Sequence, residues 1–119
     1  MSTAPEQATK PSDDWSKLLL NKVVFVTGAG GAIGASIAQT CALHGARVAV
    51  ADMNKTAVDE VVQKIVNDHE STKDSIIAVE LDVTNEEAIQ NAVKTVVDKW
   101  NTIDVLVNKF VKLTYKEYN

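Results

Sequence analysis

The feature that most constrains this chain is a run of five mostly apolar residues, Val23-Val24-Phe25-Val26-Thr27. It ends in Gly28-Ala29-Gly30-Gly31 and passes at once into a helical pattern. Glycine tolerates positive φ and lets other backbone approach closely. The first amides of the following helix lack intrahelical partners and sit at the positive end of its dipole. Such a turn attracts phosphate, and in a strand–turn–helix unit the expected ligand is the diphosphate of a dinucleotide. A glycine-rich turn that merely packs a helix on a strand is the plain alternative.

A strict G-x-G-x-x-G counted from Gly28 fails, because its last position is Ile33. The pattern T-G-x-x-x-G-x-G fits at Thr27, Gly28 and Gly34, with Ala32 in place of its middle glycine. In these residues the chain resembles the short-chain dehydrogenase/reductase family, whose first βα unit opens on that pattern. The one added methyl of Ala32 reads as a tolerated variant.

The rest of the chain alternates strand and helix signals. The first strand spans about Lys22 to Thr27, and a helix runs from about Ala32 to His44. That helix carries Ile33, Ile37 and Cys41 on one face, with Gly45 as its C-terminal cap. His44 in the last turn suits a capping role at the negative end of the dipole. Arg47 to Ala51 reads as a second strand, and its continuous apolarity suits a parallel strand covered on both faces. A helix over Lys55 to Asp68 follows, striped by Val58, Val61, Val62 and Ile65. The polar run Glu70 to Asp74 turns the chain into a third strand, Ser75 to Leu81. Thr84-Asn85-Glu86-Glu87 has the form of a capping box, with Thr84 as the cap. The helix after it reaches Trp100 and turns Ile89, Val93, Val96, Val97 and Trp100 inward. Ile103 to Val107 is the fourth strand. Right-handed crossovers then give an α/β fold, half of a doubly wound parallel sheet in the order 3-2-1-4. In the terms of the resembled family this is a partial Rossmann fold with flanking helices.

Two strand-end acids carry the chemistry. Asp52 closes the second strand 24 residues after Gly28, near the separation of an acid that binds the adenosine ribose. A carboxylate there accepts from ribose hydroxyls and repels a 2′-phosphate. No arginine stands in the glycine turn or just after Asp52, although Lys55 is close, so NAD is favoured over NADP. A helix N-cap shared with Asn54 is the other use for Asp52. Asp82-Val83 ends the third strand and resembles the family's acid–apolar pair beside the adenine ring; an ordinary turn acid is the alternative. The resemblance implies a cofactor site of Thr27, Gly28, Gly30, Gly31, Ile33, Gly34, Asp52, Met53, Asp82, Val83 and Asn108. It implies no metal. All these positions lie at the carboxyl ends of parallel strands, the edge where such sheets bind ligands.

Asn108 matches the first Asn of the family's Asn-Asn-Ala-Gly turn, and the match then stops at Lys109-Phe110. Family members work on alcohols or carbonyls through a Ser and a Tyr-x-x-x-Lys pair beyond the fourth strand. Here Tyr115 is followed four residues later by Asn119, and Tyr118 by nothing that fits. No catalytic residue is carried over. A small alcohol or carbonyl substrate is expected only of a full-length form, and the helices the family uses to oligomerise are absent. The expected organisation is a disordered tail over 1–14, a dinucleotide-binding half-domain over 15–108 and a non-family tail over 109–119. Trp15 and Leu18 to Leu20 are expected to dock the first tail onto the domain. Asn108-Lys109-Phe110-Val111 can be encoded with a splice-donor-like GTTTGT, so the last tail reads as translation into a retained intron of a truncated product. Sequencing the transcript across this point checks that expectation, and a genomic AAA codon for Lys109 would end it.

Twelve Lys and Arg against sixteen Asp and Glu give a net charge of −4, with no basic block. Nucleic acid and anionic membranes are therefore not expected partners. Cys41 is the single cysteine, which suits a reducing compartment and reads as a small core residue. The N-terminal stretch has neither an apolar signal core nor an arginine, and the expected location is cytoplasmic. A methyltransferase-like domain also uses a glycine turn and a strand-end acid, but the Thr27-Gly28 opening lacks the acid that would precede the turn.

Overall fold

The computed structural model describes residues 17–108. Trp15 and the proposed tails over 1–14 and 109–119 lie outside these residues. Strand β1 (Val23–Thr27) leads to helix α1 (Ala32–Leu43), and strand β2 (Arg47–Asp52) leads to helix α2 (Lys55–Asp68). A short 3-10 turn (Glu70–Thr72) precedes strand β3 (Ile76–Glu80), followed by helix α3 (Glu86–Trp100) and strand β4 (Val105–Asn108). The strands form one parallel sheet in the order β3-β2-β1-β4. Fold class and strand order agree with the sequence expectation.

The central strands are buried on both faces, which is why their sequences are continuously apolar. On one face, Val24, Val26, Val48 and Val50 pack with Ala38 and Ala42 of α1 and Val58 and Ile65 of α2. On the other, Val23, Phe25, Ala49 and Ala51 meet Ala92, Val96 and Trp100 of α3. Leu19 docks on the first cluster, and its amide donates to the His44 carbonyl at 2.7 Å. Leu18 and Leu20 are exposed, so the docking expected of the whole Leu18 to Leu20 patch falls to its middle residue among those described.

The caps correct one expectation and support two. The side chain that caps α3 is Asn85, whose Oδ1 accepts from the Ala88 amide at 3.0 Å. Thr84 instead turns its amide and hydroxyl to Asp82. The cap is therefore displaced by one residue, because an Asx side chain three residues before a free amide serves as well as Thr, and with Ala88 in the third position no reciprocal capping box forms. Gly45 follows α1 at φ 96°, a conformation that favours glycine. His44 Nδ1 lies 2.6 Å from the Thr40 carbonyl and closes the last turn as expected.

The inward face of α1 is one residue off the expected stripe, and that of α3 keeps Val96 and Trp100 of the expected set but not Ile89, Val93 or Val97. In α1 the buried positions are Gly34, Ala38 and Ala42, while Ile33 stands 61% exposed. The helix lies too close to the sheet for larger residues, so the small stripe turns inward and Ile37 and Cys41 pack at its flank. In α3 the stripe is Ala92, Val96 and Trp100, with Ala88 packed at its N-terminal end. Ile89, Val93 and Val97 are 36–40% exposed rather than inward. Ile89 and Val93 line a cleft beside β4 instead. Val96→Ala is expected to cost about 2 kcal/mol and Val93→Ala less than about 1 kcal/mol. Urea unfolding of the two variants checks this, and equal costs would restore the broader stripe.

Candidate dinucleotide site

The turn after β1 is built by two glycines with different duties. Gly28 has φ 67°, in the left-handed region, and swings the chain off the strand. Gly34 is needed for space. A Cβ there would lie 2.6 Å from the Gly28 carbonyl oxygen and 2.7 Å from the Ala29 Cα. The first turn of α1 thus rests directly on the backbone of the loop. Ala29 ties the loop to the sheet by donating its amide to the Ala51 carbonyl at 3.0 Å.

Gly31 occupies the N-cap of α1 with extended backbone and offers no side-chain acceptor to the helix. A Cβ on Gly31 would meet nothing within 4 Å, and no acid stands in the first turn. The first amides of α1 therefore have no side-chain cap and lie in the positive end of the dipole. The residues fit an anionic diphosphate.

Asp52 closes β2 beside this loop. Its Oδ2 accepts from the Gly30 amide at 2.9 Å and its Oδ1 from the Asn54 amide at 3.0 Å. A Cβ on Gly30 would stand 2.9 Å from Asp52 Oδ2, so glycine at 30 makes room for the carboxylate. The α2 cap is Asn54, which accepts from the Ala57 amide at 3.0 Å. Asp52 is not that cap. Each of its oxygens keeps a second lone pair for a further donor. Lys55, the cation nearest in sequence, is turned to Asp59 at 2.8 Å.

At the end of β3 the Leu81 amide donates to the Asp52 carbonyl at 2.9 Å, which fixes where Asp82 leaves the sheet. Asp82 Oδ1 receives the Thr84 hydroxyl at 2.6 Å and the Thr84 amide at 2.9 Å. The hydroxyl first, and then the amide, hold the carboxyl below the usual aspartate range. On the other side of β1, the Thr27 hydroxyl donates to Asn108 Oδ1 at 2.8 Å, and Thr27 pairs with Asn108 in the register of β1 and β4.

The geometry sets Gly34 against Gly28 and Gly30 against Asp52, with Gly31 at the N-cap of α1, and ties Thr27 to Asn108 at the same edge. Val83 joins Thr27 and Asn108 in lining a cleft of 340 Å³, whose walls include Phe25, Leu81, Ile103 and Leu106. Met53 and Ile33 stand exposed near the loop. Sequence reasoning missed Thr84 as the partner of Asp82, although the two-residue spacing of Asp and Thr is the signal of a local side-chain turn. It also missed Ala57, whose Cβ would lie 3.0 Å from a Cβ on Gly30. Among the described residues no group of three His, Cys, Asp or Glu could hold a metal ion, and no helix is long and apolar enough to cross a membrane. Burial pushes the Cys41 thiol up, in keeping with a packed rather than a reactive group.

The family model described as short chain dehydrogenase matches residues 22–109. The chain belongs to the short chain dehydrogenase family. Meso-2,3-butanediol dehydrogenase of Serratia marcescens is 38% identical over 88 residues, which are 74% of this chain and 33% of that protein. Among solved structures, the NADH complex of a 3-ketoacyl-(acyl-carrier-protein) reductase from Brucella melitensis matches with a TM-score of 0.66 at 31% identity. That match covers 74% of this chain and 33% of the reductase. The C-domain of a bacterial malonyl-CoA reductase with NADP matches with a TM-score of 0.78 at 25% identity, over 85% of this chain and 16% of that one. The chain spans about a third of the length of the curated short chain dehydrogenases it matches.

Two outcomes are expected here. Gly34→Ala should cost about 1–3 kcal/mol of stability, because its methyl meets loop backbone, while Gly31→Ala should cost under about 1 kcal/mol. Thermal melts of both variants check this, and a harmless Gly34→Ala would contradict the close seating of α1. The Asp82 carboxyl, lowered by Thr84, contributes stability that is present above its ordinary value of 3.8 and lost as pH falls through the lower folded value. A carbon-detected NMR titration should show the Asp82 midpoint rising toward the ordinary value in Thr84→Val.

Proposed function

We propose that this chain provides the dinucleotide-binding half of an NAD-dependent oxidoreductase that transfers hydride to or from a small alcohol or carbonyl. One observation carries the reading: Asp52 Oδ2 accepts from Gly30 at 2.9 Å beside a helix N-terminus without a side-chain cap. An anion-attracting turn and a strand-end acceptor in contact suit the two halves of an adenosine diphosphate. The diphosphate lies against the backbone from Gly28 to Gly34, with Ile33 contributing its amide. The ribose hydroxyls donate to Asp52, and the adenine amino group donates to Asp82, with Met53 and Val83 beside the ring. Thr27 and Asn108 hold the two strands together where the cofactor crosses the edge.

NAD is the preferred dinucleotide in this reading. Asp52 repels a 2′-phosphate, and Lys55 is engaged by Asp59 rather than turned to that position. The cofactor supplies the hydride chemistry, and the protein holds and orients it. The family's proton-transfer groups, a Ser and a Tyr-x-x-x-Lys pair, have no match in the 119 residues. The chain by itself therefore binds a dinucleotide without turning over substrate, since acid–base catalysis at the carbonyl lacks its donor. A cytoplasmic location belongs to the same reading.

Binding is tested by the change in NADH fluorescence on titration with the 119-residue chain. Asp52→Ala should weaken NAD by about 1.5–3 kcal/mol, the worth of hydrogen bonds to a charged group. Unchanged affinity would confine Asp52 to holding the loop. Adding small alcohols to the chain with NAD should produce no NADH, and sustained production would refute the absence of turnover.

A further inference from the structure

Strand β4 is an edge of the sheet, bonded to β1 on one side and, among the described residues, to no strand on the other. Beside it lies the 340 Å³ cleft, walled by Phe25, Leu81 and Leu106 and by Ile89 and Val93 of α3. Leu106 is 60% exposed, and Val105, Ile89, Val93 and Val97 are each 36–41% exposed. Apolar side chains that run together from a helix to a strand edge mark a surface made to be covered.

The chain itself supplies an occupant. Asn108, the last residue of β4, lines the cleft, so residues 109–119 start at its rim with no linker to span. The family match ends at residue 109, and Phe110 to Asn119 lie beyond it. These residues sort at helical spacing. Val111, Tyr115 and Tyr118 fall at i, i+4 and i+7 with Phe110 and Leu113 adjoining, while Lys109, Lys112 and Lys116 gather on the opposite face. Strict alternation would instead set Phe110 on the side of Lys112 and Lys116. A helix over 109–118 is about 15 Å long, and the row from Ile89 to Val97 takes up about 12 Å of α3.

Charge separates this occupant from a second copy. Residues 1–108 hold nine Lys and Arg against fifteen Asp and Glu, whereas 109–119 hold three Lys against one Glu. Glu86 and Glu87 head the helix that walls the cleft and are in no ion pair among the described residues. The last segment is thus attracted to the rest of its chain, while two copies at −4 each repel one another.

We infer that residues 109–119 fold back as an amphipathic helix and fill the cleft between α3 and β4 of their own chain. Phe110, Val111, Leu113, Tyr115 and Tyr118 then meet the cleft, and the three lysines face water. A helix this short is marginal in water, so its formation and its docking are one event. The dinucleotide reading does not depend on this cover.

The test is NOE spectroscopy of the 119-residue chain without NAD, in samples that mix differently labelled copies. Cross-peaks are expected within one chain from the rings of Phe110 and Tyr115 to the methyls of Ile89, Val93 and Leu106, with helical carbon shifts over 110–118. Leu113→Asp should erase them and raise the fluorescence of added ANS, a dye that reports exposed apolar surface. Lys112→Gln, on the opposite face, should leave both readouts unchanged. Where Leu113→Asp does not fold, the wild-type spectra decide. Wild-type spectra with no contact between 110–118 and these methyls overturn the inference. Contacts that arise only between differently labelled copies overturn it too, because they give the cleft to a second copy.

Discussion

The whole arrangement depends on how closely α1 is seated on the turn that precedes it. With no side chain at Gly34, the helix rests on the Gly28 carbonyl and the Ala29 Cα. That contact sets the distance of α1 from the sheet and aims its first amides outward beyond the strand ends. It also dictates composition. A helix held this close can turn only Gly34, Ala38 and Ala42 toward β1 and β2, so its larger apolar residues go to the flank or to the surface.

From this seating follows the division of labour at the edge of the sheet. Gly30 has no side chain because Asp52 occupies that space, and the carboxylate in turn pins the Gly30 amide. Thr27 closes the other side against Asn108, and Leu81 carries the register of β3 into Asp82. Four strands deliver their ends to one line, and the hydrogen bonds among those ends are the same ones that shape the candidate site. The fold and the candidate site are built from one set of contacts.

Much of this was legible in the chain itself. Parallel strand order, the extent of α2 and the place of Asp52 follow from apolar runs, a 3.6-residue stripe and the strand-end acid. The failures have separate physical causes. Ile33, Ile37 and Cys41 form the more hydrophobic stripe of α1, yet the buried one is Gly34, Ala38 and Ala42, because periodicity ranks residues by apolarity and not by the room available. Ile89, Val93 and Val97 were read inward with Val96 and Trp100, but one face of a single helix cannot cover both the sheet and the cleft beside β4. Thr84 looked like a helix cap because its spacing to Glu87 is right, and only the geometry shows Asn85 in that place.

What the sequence leaves for measurement is whether this edge receives the ligand that its chemistry suits. Proton–nitrogen NMR spectra of the 119-residue chain titrated with NAD address that directly. The account predicts shifts concentrated at Gly28 to Gly34, at Asp52 and Met53, at Asp82 and Val83, and at Asn108, with the far ends of the strands unmoved. Saturating NAD with no shifts at these amides, or with shifts centred on the opposite edge near Val23, Arg47 and Ile76, would contradict it.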